Sequence, residues 1–234
     1  MSSSPKKAVY EQLARIGQAL SSAPRLELLE LLAQTERSVE SLAGLTGLSI
    51  ANTSRHLQQL RQAGMVGSRK QGQYVYYRLA GDAVVGLLGS LGTVAEAHLA
   101  EMDGLLRRSF ATLDDAEPVS AEDVLESARK GQVTVIDVRP PEEYAAGHVP
   151  GAINIPLPEL QKHLDALPKR KEIVAYCRGP YCLMSFAAVK TLRAKGFKAR
   201  RLVAGMPEWR SAGLPIETQP ISIRSTGQDS PRQS

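Results

Sequence analysis

The sequence contains few cysteines and lacks any long apolar run. No apolar stretch approaches the roughly 20 residues needed to cross a bilayer, so we expect no membrane span. The N-terminal segment 1–7 lacks the apolar core of a secretion signal. We therefore expect a cytoplasmic protein. Its two cysteines are then expected to be reduced and reactive, since a structural disulfide is uncommon there.

Size and charge set broad limits on what the protein does. The chain has 234 residues, which is enough for one large or two modest domains. Its hydrophobic content of 43% is ordinary for a globular protein. A net charge of +5 makes the protein mildly basic, which is compatible with a nucleic-acid partner but does not establish one.

Two short helices are predicted in the N-terminal half. Ser38 caps a helix over 39–45, and Ser49 caps a second helix over 50–62. The tight turn between them contains Gly47. This arrangement is typical of a helix-turn-helix.

One face of the predicted helix 50–62 is apolar, and the other carries short hydrogen-bonding and cationic side chains. Such side chains suit phosphates and base edges in a major groove. The alternative is an ordinary solvated helix face. The candidate DNA contacts on this helix are Asn52, Thr53, Ser54, Arg55, His56 and Gln59.

A β-hairpin is predicted directly after this helix, over residues 67–79, with its turn at Gln71-Gly72. Arg69 and Lys70 make its tip basic. A basic hairpin in this position is a wing that can contact phosphates or the minor groove. The order of helix, turn, helix and wing therefore favours DNA binding.

Residues 8–110 resemble the ArsR family of winged-helix repressors. The matching segments are 25–29, 49–66 and 72–79. The resemblance implies a homodimer that binds a palindromic operator and dimerises through a last helix, residues 82–110. The apolar stripe along that segment independently calls for a partner surface. Three glycines in its first half predict an irregular start.

The metal sites of that family are incomplete in this sequence. The third helix has no cysteine, and His98 with Glu101 supplies only half of the site used on the last helix. We therefore predict neither a metal nor a cofactor.

The C-terminal half alternates strands with helices. An acidic linker, 113–118, ends in proline, and the alternation beyond it predicts a mainly parallel sheet with helices on both faces. Sites in such sheets lie beyond the carboxyl ends of the strands. Asp137, Arg139 and Cys177 are all predicted to lie there.

Residues 119–217 resemble a rhodanese domain through the segments 137–156, 176–178 and 205–209. The resemblance implies that Cys177 accepts sulfur as a persulfide, cradled by the loop amides. Asp137 and Arg139 then brace the site. Arg178, next to the cysteine at a helix N-terminus, favours the thiolate form of Cys177.

The loop departs from the usual rhodanese form. Pro180 replaces a common glycine and removes one amide donor. Cys182 stands where an arginine commonly holds an anionic donor, which argues against efficient thiosulfate transfer. Leu183 replaces the arginine that related cysteine phosphatases need, which argues against phosphatase or arsenate chemistry.

Cys182 adds a second thiol to the loop. It can join Cys177 in a disulfide or polysulfide if the two α-carbons come within about 7 Å. A reactive thiol with such a second thiol beside it is the pattern of a redox or reactive-sulfur sensor. The alternative is a small hydrophobe packed at the helix start.

We thus predict two domains: a mainly α winged helix-turn-helix (1–112), then an α/β rhodanese-like domain (119–217) and a disordered tail (218–234). The predicted function is a repressor that senses reactive sulfur or an oxidant at Cys177. The alternatives are a sulfurtransferase that the winged helix localises or autoregulates, and a rhodanese domain without chemistry.

Overall fold

The computed structural model of the protein describes residues 4–106, 108 and 117–219. The N-terminal domain is mainly helical, with a small sheet at one side. Its helices are α1 (Pro5–Leu20), α2 (Ala23–Gln34), α3 (Val39–Thr46), α4 (Ile50–Gln62), α5 (Asp82–His98) and α6 (Ala100–Leu106). Its strands are β1 (Arg37–Ser38), β2 (Val66–Gln71) and β3 (Tyr74–Leu79).

The predicted helix-turn-helix is confirmed, together with both of its caps. The Ser38 hydroxyl accepts a hydrogen bond from the Ser41 backbone N–H, and Ser49 accepts one from Asn52, each at 3.2 Å. Gly47 ends α3 in the left-handed region, at φ 69°, which a glycine adopts without strain.

The wing is a three-stranded antiparallel sheet in the order β1-β3-β2. The hairpin of β2 and β3 turns at Gly72 as predicted, and β1 adds a short edge through the pair Arg37 and Tyr77. Helices α2, α3 and α4 pack beneath it on fully buried leucines. Those leucines are Leu28, Leu29, Leu42, Leu57 and Leu60.

Helix α5 differs from the prediction in two ways. Its first half is regular despite three glycines, because Val85 is buried and Val84 and Leu88 pack on the domain core. That burial outweighs a helix cost of about 1 kcal/mol per glycine. The helix then ends at Leu99, whose backbone is extended, so that 82–106 forms two helices rather than one. Residues 107, 109 and 110 lie outside the described part of the chain.

Across the described ranges, no single helix is long and apolar enough to cross a membrane. Within that part of the chain, the bent pair of α5 and α6 passes the test when taken together, by length and composition alone.

The C-terminal domain is an α/β fold with a parallel sheet, as predicted. Its elements are α7 (Ala121–Arg129), β4 (Val133–Asp137), α8 (Pro141–Ala146), β5 (Ile153–Asn154), α9 (Leu160–His163), β6 (Glu172–Tyr176), α10 (Leu183–Ala194), β7 (Ala199–Arg201) and α11 (Met206–Ser211). The strand order is β5-β4-β6-β7. Short 3-10 turns flank α9, so the helix predicted near 158–167 is broken into three pieces.

Alternating side chains of the central strands pack into two hydrophobic cores, one on each face of the sheet. Ile136 and Ile173 pack with α10 on one face, while Val135 and Val174 pack with Trp209 of α11 on the other. Both faces are therefore covered, and the carboxyl ends of β4 and β6 converge on one edge.

Two isolated bridges pair the first and last residues of the predicted domain 119–217 with its interior. Val119 pairs with Leu202, and Glu217 pairs with His148. Most of the predicted linker 113–118 and of the tail 218–234 lies outside the described residues. The domain limits therefore stay predictions.

Candidate functional site

The loop after β6 carries both cysteines. Cys177 follows the last strand residue and is 2% exposed, and Cys182 precedes the first residue of α10 and is 8% exposed. The structure differs from the expectation that both cysteines are reduced, because a disulfide joins them. Their α-carbons lie 6.3 Å apart, inside the distance that a bridge needs. The Cys182 backbone N–H donates to the Gly179 carbonyl at 3.1 Å, which closes the loop into a tight turn.

Asp137 and Arg139 form a buried ion pair beneath this loop. Both side chains are fully buried, and the Arg139 Nη2 donates to Asp137 Oδ2 at 2.6 Å and to the Gly147 carbonyl at 2.8 Å. Burial alone would lower the Arg139 pKa, but its hydrogen bonds to Asp137 raise it overall. The Arg139 guanidinium is thereby held in one position, and its role in bracing the site stays a prediction.

Tyr176 connects the strand end to the same layer. Its hydroxyl accepts a hydrogen bond from the Val149 backbone N–H at 3.1 Å, and the Arg139 guanidinium lies 5.5 Å from its ring centroid. Burial raises the pKa of this phenol well above its usual range. Tyr176 therefore stays neutral, and its hydrogen bond with Val149 fixes the position of the strand end just before Cys177.

The start of α11 presses against the cysteine loop through its main chain. A side chain at Gly205 would place its β-carbon 2.3 Å from the Arg178 carbonyl carbon and oxygen. The Met206 backbone N–H donates to the Cys177 carbonyl at 3.2 Å. Glycine at 205 is thus required by close backbone approach, which accounts for its place in the 205–209 segment.

Arg178 is directed to a carboxylate rather than left free beside the cysteine. Its Nη2 donates to Glu143 Oε1 at 2.7 Å, and its Nε lies 3.0 Å from Oε2. Glu143, on α8, is fully buried. The positive charge predicted to favour the Cys177 thiolate is therefore partly offset.

Two side chains of the N-terminal domain, Gln34 and Arg37, contact the edge of this site and were not predicted. Gln34, the last residue of α2, donates through Nε2 to the Arg178 carbonyl and accepts from Arg139 Nη1, both at 3.1 Å. Arg37 of β1 donates to Glu143 Oε1 at 2.5 Å. No local pattern in the sequence signals contacts between residues so far apart.

The predicted DNA-reading residues divide by exposure on α4. Asn52 and Arg55 are exposed, while Ser54, His56 and Gln59 are half-buried. Gln59 accepts a hydrogen bond from Arg25 at 2.8 Å. The inclusion of Thr53 was wrong, because its side chain is fully buried and its hydroxyl donates to the Ser49 carbonyl at 3.0 Å.

The wing presents Arg69 and Lys70 to solvent, where both are exposed. Glu36, one residue before β1, holds Arg69: the Arg69 Nε lies 2.8 Å from a Glu36 carboxylate oxygen. The Arg69 guanidinium also lies over the Tyr76 ring, 4.9 Å from its centroid. A phosphate that engages Arg69 must compete with this carboxylate.

No group of three or more metal-binding side chains is gathered anywhere in residues 4–106, 108 and 117–219. The absence of a cofactor stays a prediction.

Fold and site together define a winged helix-turn-helix protein joined to a rhodanese-type domain with a cysteine loop. Residues 23–68 match the family model described as bacterial regulatory protein, arsR family, and residues 120–212 match that of the rhodanese-like domain. The chain is 44% identical over 212 residues to the HTH-type transcriptional regulator Rv0324 of Mycobacterium tuberculosis, across 91% of this chain and 93% of that protein.

Two further relatives each match one half of the chain. A sulfurtransferase of Allochromatium vinosum is 32% identical over 85 residues, which are 36% of this chain and 78% of that protein. A solved homodimeric winged helix-turn-helix DNA-binding domain, Mb0332 of Mycobacterium bovis, is 42% identical, with a TM-score of 0.39. It covers 43% of this chain and 94% of that one. By the two family-model matches and the 44% identity to Rv0324, the chain belongs to the ArsR family of bacterial transcriptional regulators and carries a rhodanese-like domain behind its winged helix.

Proposed function

We propose that this regulator is an operator-binding repressor that detects reactive sulfur or an oxidant at Cys177. The observation that supports it best is the pairing of its two cysteines. Cys177 and Cys182 are the chain's only cysteines, and a disulfide joins them across one loop. A pair that closes on itself suits a protein that reacts once and changes state, since closure blocks a second turnover.

The chemistry proposed for reactive sulfur has two balanced steps. First, the Cys177 thiolate attacks the terminal sulfur of a hydropersulfide, RSSH. A new S–S bond forms on Cys177, and the RS–S bond breaks to release the thiol. Second, the Cys182 thiolate attacks the Cys177 Sγ, which closes the disulfide and releases hydrogen sulfide. The two cysteine thiols supply the two electrons that reduce the transferred sulfur to sulfide.

The DNA-binding side of the proposal rests on α4, the wing and a dimer. Exposed Asn52 and Arg55 on α4 suit base edges and phosphates, and exposed Lys70 on the wing suits phosphates. Along α5, exposed apolar side chains support dimerisation through the segment 82–110. These side chains are Leu87, Leu91 and Val94.

A sulfurtransferase that turns over is the second candidate function. Its support is the rhodanese-like match and the similarity to a named sulfurtransferase. Against it, a persulfide on Cys177 has a competing thiol at Cys182 within bonding reach. Steady-state transfer of sulfur from a donor to cyanide would favour the enzyme, whereas stoichiometric modification without turnover would favour the sensor.

The test compares wild type with Cys177→Ser and Cys182→Ser protein. The operator duplex is first selected from random DNA with reduced wild-type protein. Each protein is then reduced and treated with a small hydropersulfide. One part of each sample is used for intact-mass measurement and the other for binding to this duplex. Wild type should lose the mass of two hydrogens and release one sulfide per chain, with a changed operator Kd. Cys182→Ser should instead gain one sulfur atom.

Cys177→Ser should show neither the mass change nor the change in Kd. A wild-type Kd that stays constant while the disulfide forms would rule out the sensor. An equal change in Kd for wild type and Cys177→Ser would also rule it out. An unreactive Cys177 would favour a rhodanese domain without chemistry.

A further inference from the structure

The cysteine loop contacts the winged-helix domain directly at Gln34 and at α5, and a third connection runs through Glu143 of α8. Its residues Arg178 to Tyr181 span the interval between the two cysteines, so their backbone path depends on whether those cysteines are joined. We propose that these contacts, centred on Gln34 and Glu143, couple the state of Cys177 to the winged helix. This coupling rests on the sensing function proposed above.

Gln34 makes the first contact with a side chain that is only 4% exposed. Its amide engages the Arg178 carbonyl on one side and the Arg139 guanidinium on the other. A shift of the loop separates the first pair and leaves buried polar groups without partners, which a folded protein avoids. The end of α2 must therefore follow the loop.

Glu143 of α8 makes the second connection, because its buried carboxylate accepts hydrogen bonds from side chains on both sides of the domain boundary. It accepts hydrogen bonds from Arg178 of the cysteine loop and from Arg37 of β1. Arg37 pairs in register with Tyr77 of the wing, and the preceding Glu36 holds the wing residue Arg69. A continuous series of ion pairs and strand pairing thus leads from the loop to the predicted DNA contact.

Tyr181 makes the third contact, on the predicted dimerisation helix α5. Its hydroxyl donates to Glu96 Oε1 at 2.5 Å, and a β-carbon at Gly92 would lie 2.8 Å from that hydroxyl oxygen. Glycine at 92 is what allows this close approach. Coupling needs an element with two arrangements, of which the cysteine pair and the DNA-binding site favour different ones. The loop 178–181 is proposed as that element, because it contacts both the cysteines and the winged-helix domain.

The decisive variants remove a contact and spare both cysteines. Gln34→Met keeps the length of the side chain and removes its amide, and Gln161→Met, on the exposed side of α9, is the matched control. Tyr181→Phe keeps the ring and removes only the hydroxyl, so it decides the question if Gln34→Met fails to fold by circular dichroism. Each full-length protein is treated with the same hydropersulfide as wild type.

Three quantities are measured for each variant: the reduced operator Kd, the fraction of Cys177–Cys182 disulfide by mass, and the Kd after treatment. A coupling of ordinary size changes the wild-type Kd by about 5- to 150-fold. Gln34→Met and Tyr181→Phe should form the disulfide fully and bind like wild type when reduced. Their change in Kd on treatment should shrink to less than about a third of the wild-type change.

The full wild-type change in both variants would overturn the coupling route while the sensing function stands. A wild type that forms the disulfide without any change in Kd would overturn the sensing function, and the coupling with it. The Gln161→Met control should respond like wild type.

Discussion

Removing the Glu143 carboxylate should destabilise the protein far more than removing its neighbour. Glu143 is fully buried and receives Arg37 from the N-terminal domain and Arg178 from the cysteine loop. Glu143→Ala leaves both guanidinium groups without their shared partner. Glu142→Ala is a matched control, because this adjacent glutamate is 51% exposed and lies 3.8 Å from the Arg37 guanidinium.

The size of the effect follows from burial. Removing one partner of a buried ion pair costs about 3–5 kcal/mol. Two features favour the lower end: the Arg178 side chain is 17% exposed, and Glu142 remains within reach of Arg37. We therefore expect a loss of about 3 kcal/mol for Glu143→Ala, and less than about 1 kcal/mol for Glu142→Ala.

The assay is thermal unfolding followed by fluorescence of Trp209, the chain's only tryptophan, which is fully buried. For a chain of this size, a loss of about 3 kcal/mol lowers Tm by roughly 6–12 °C. If Glu143→Ala and Glu142→Ala unfold within about 2 °C of each other, the buried carboxylate does not hold the two domains together.

Two further predictions concern DNA and pH. Arg55→Ala should raise the operator Kd about tenfold or more, as the loss of one specific contact does, and Thr53→Ser, at a buried position, should leave it within about threefold; equal affinities in a gel-shift series would count against α4 as the reading helix. Burial raises the pKa of Glu30, opposed by Arg178 and reinforced by Glu208. The folded state therefore holds more protons than the unfolded state between the unfolded value near 4.5 and the raised folded value, so stability falls as pH rises through that window. Glu30→Gln should stabilise the protein at neutral pH and lose that advantage below the window, with Glu11→Gln, at an exposed position of α1, as control. Identical urea midpoints for wild type and Glu30→Gln at every pH would contradict this.

Local features of the fold were predictable because their signals are local. Ser38 and Ser49 cap their helices through hydrogen bonds to residues three positions later. The position of Cys177 followed from the same kind of signal: an apolar strand ends where a helix is about to start. Family resemblance supplied what local pattern could not, namely the expectation that Asp137 and Arg139 brace the site, whereas their ion pair with each other was not predicted.

Contacts between the two domains could not be predicted in this way. Nothing near Gln34 marks its side chain as a partner of Arg178, because that contact depends on how two folded bodies meet. Thr53 illustrates a related difficulty, since a threonine on a polar helix face can turn its hydroxyl back to the main chain. The glycines of α5 were read as a weakness, whereas Gly92 makes room for Tyr181.

The contact of the cysteine loop with the winged-helix domain has a consequence for redox equilibrium. If joining Cys177 to Cys182 changes operator affinity, the operator must change the stability of that disulfide by the same factor, because linkage is reciprocal. A tenfold difference in Kd between the two forms corresponds to a shift of about 30 mV in the reduction potential of the pair. DNA-bound and free molecules in one cell would then become oxidised at different redox potentials. The operator itself would therefore help to determine the potential at which its bound regulator responds.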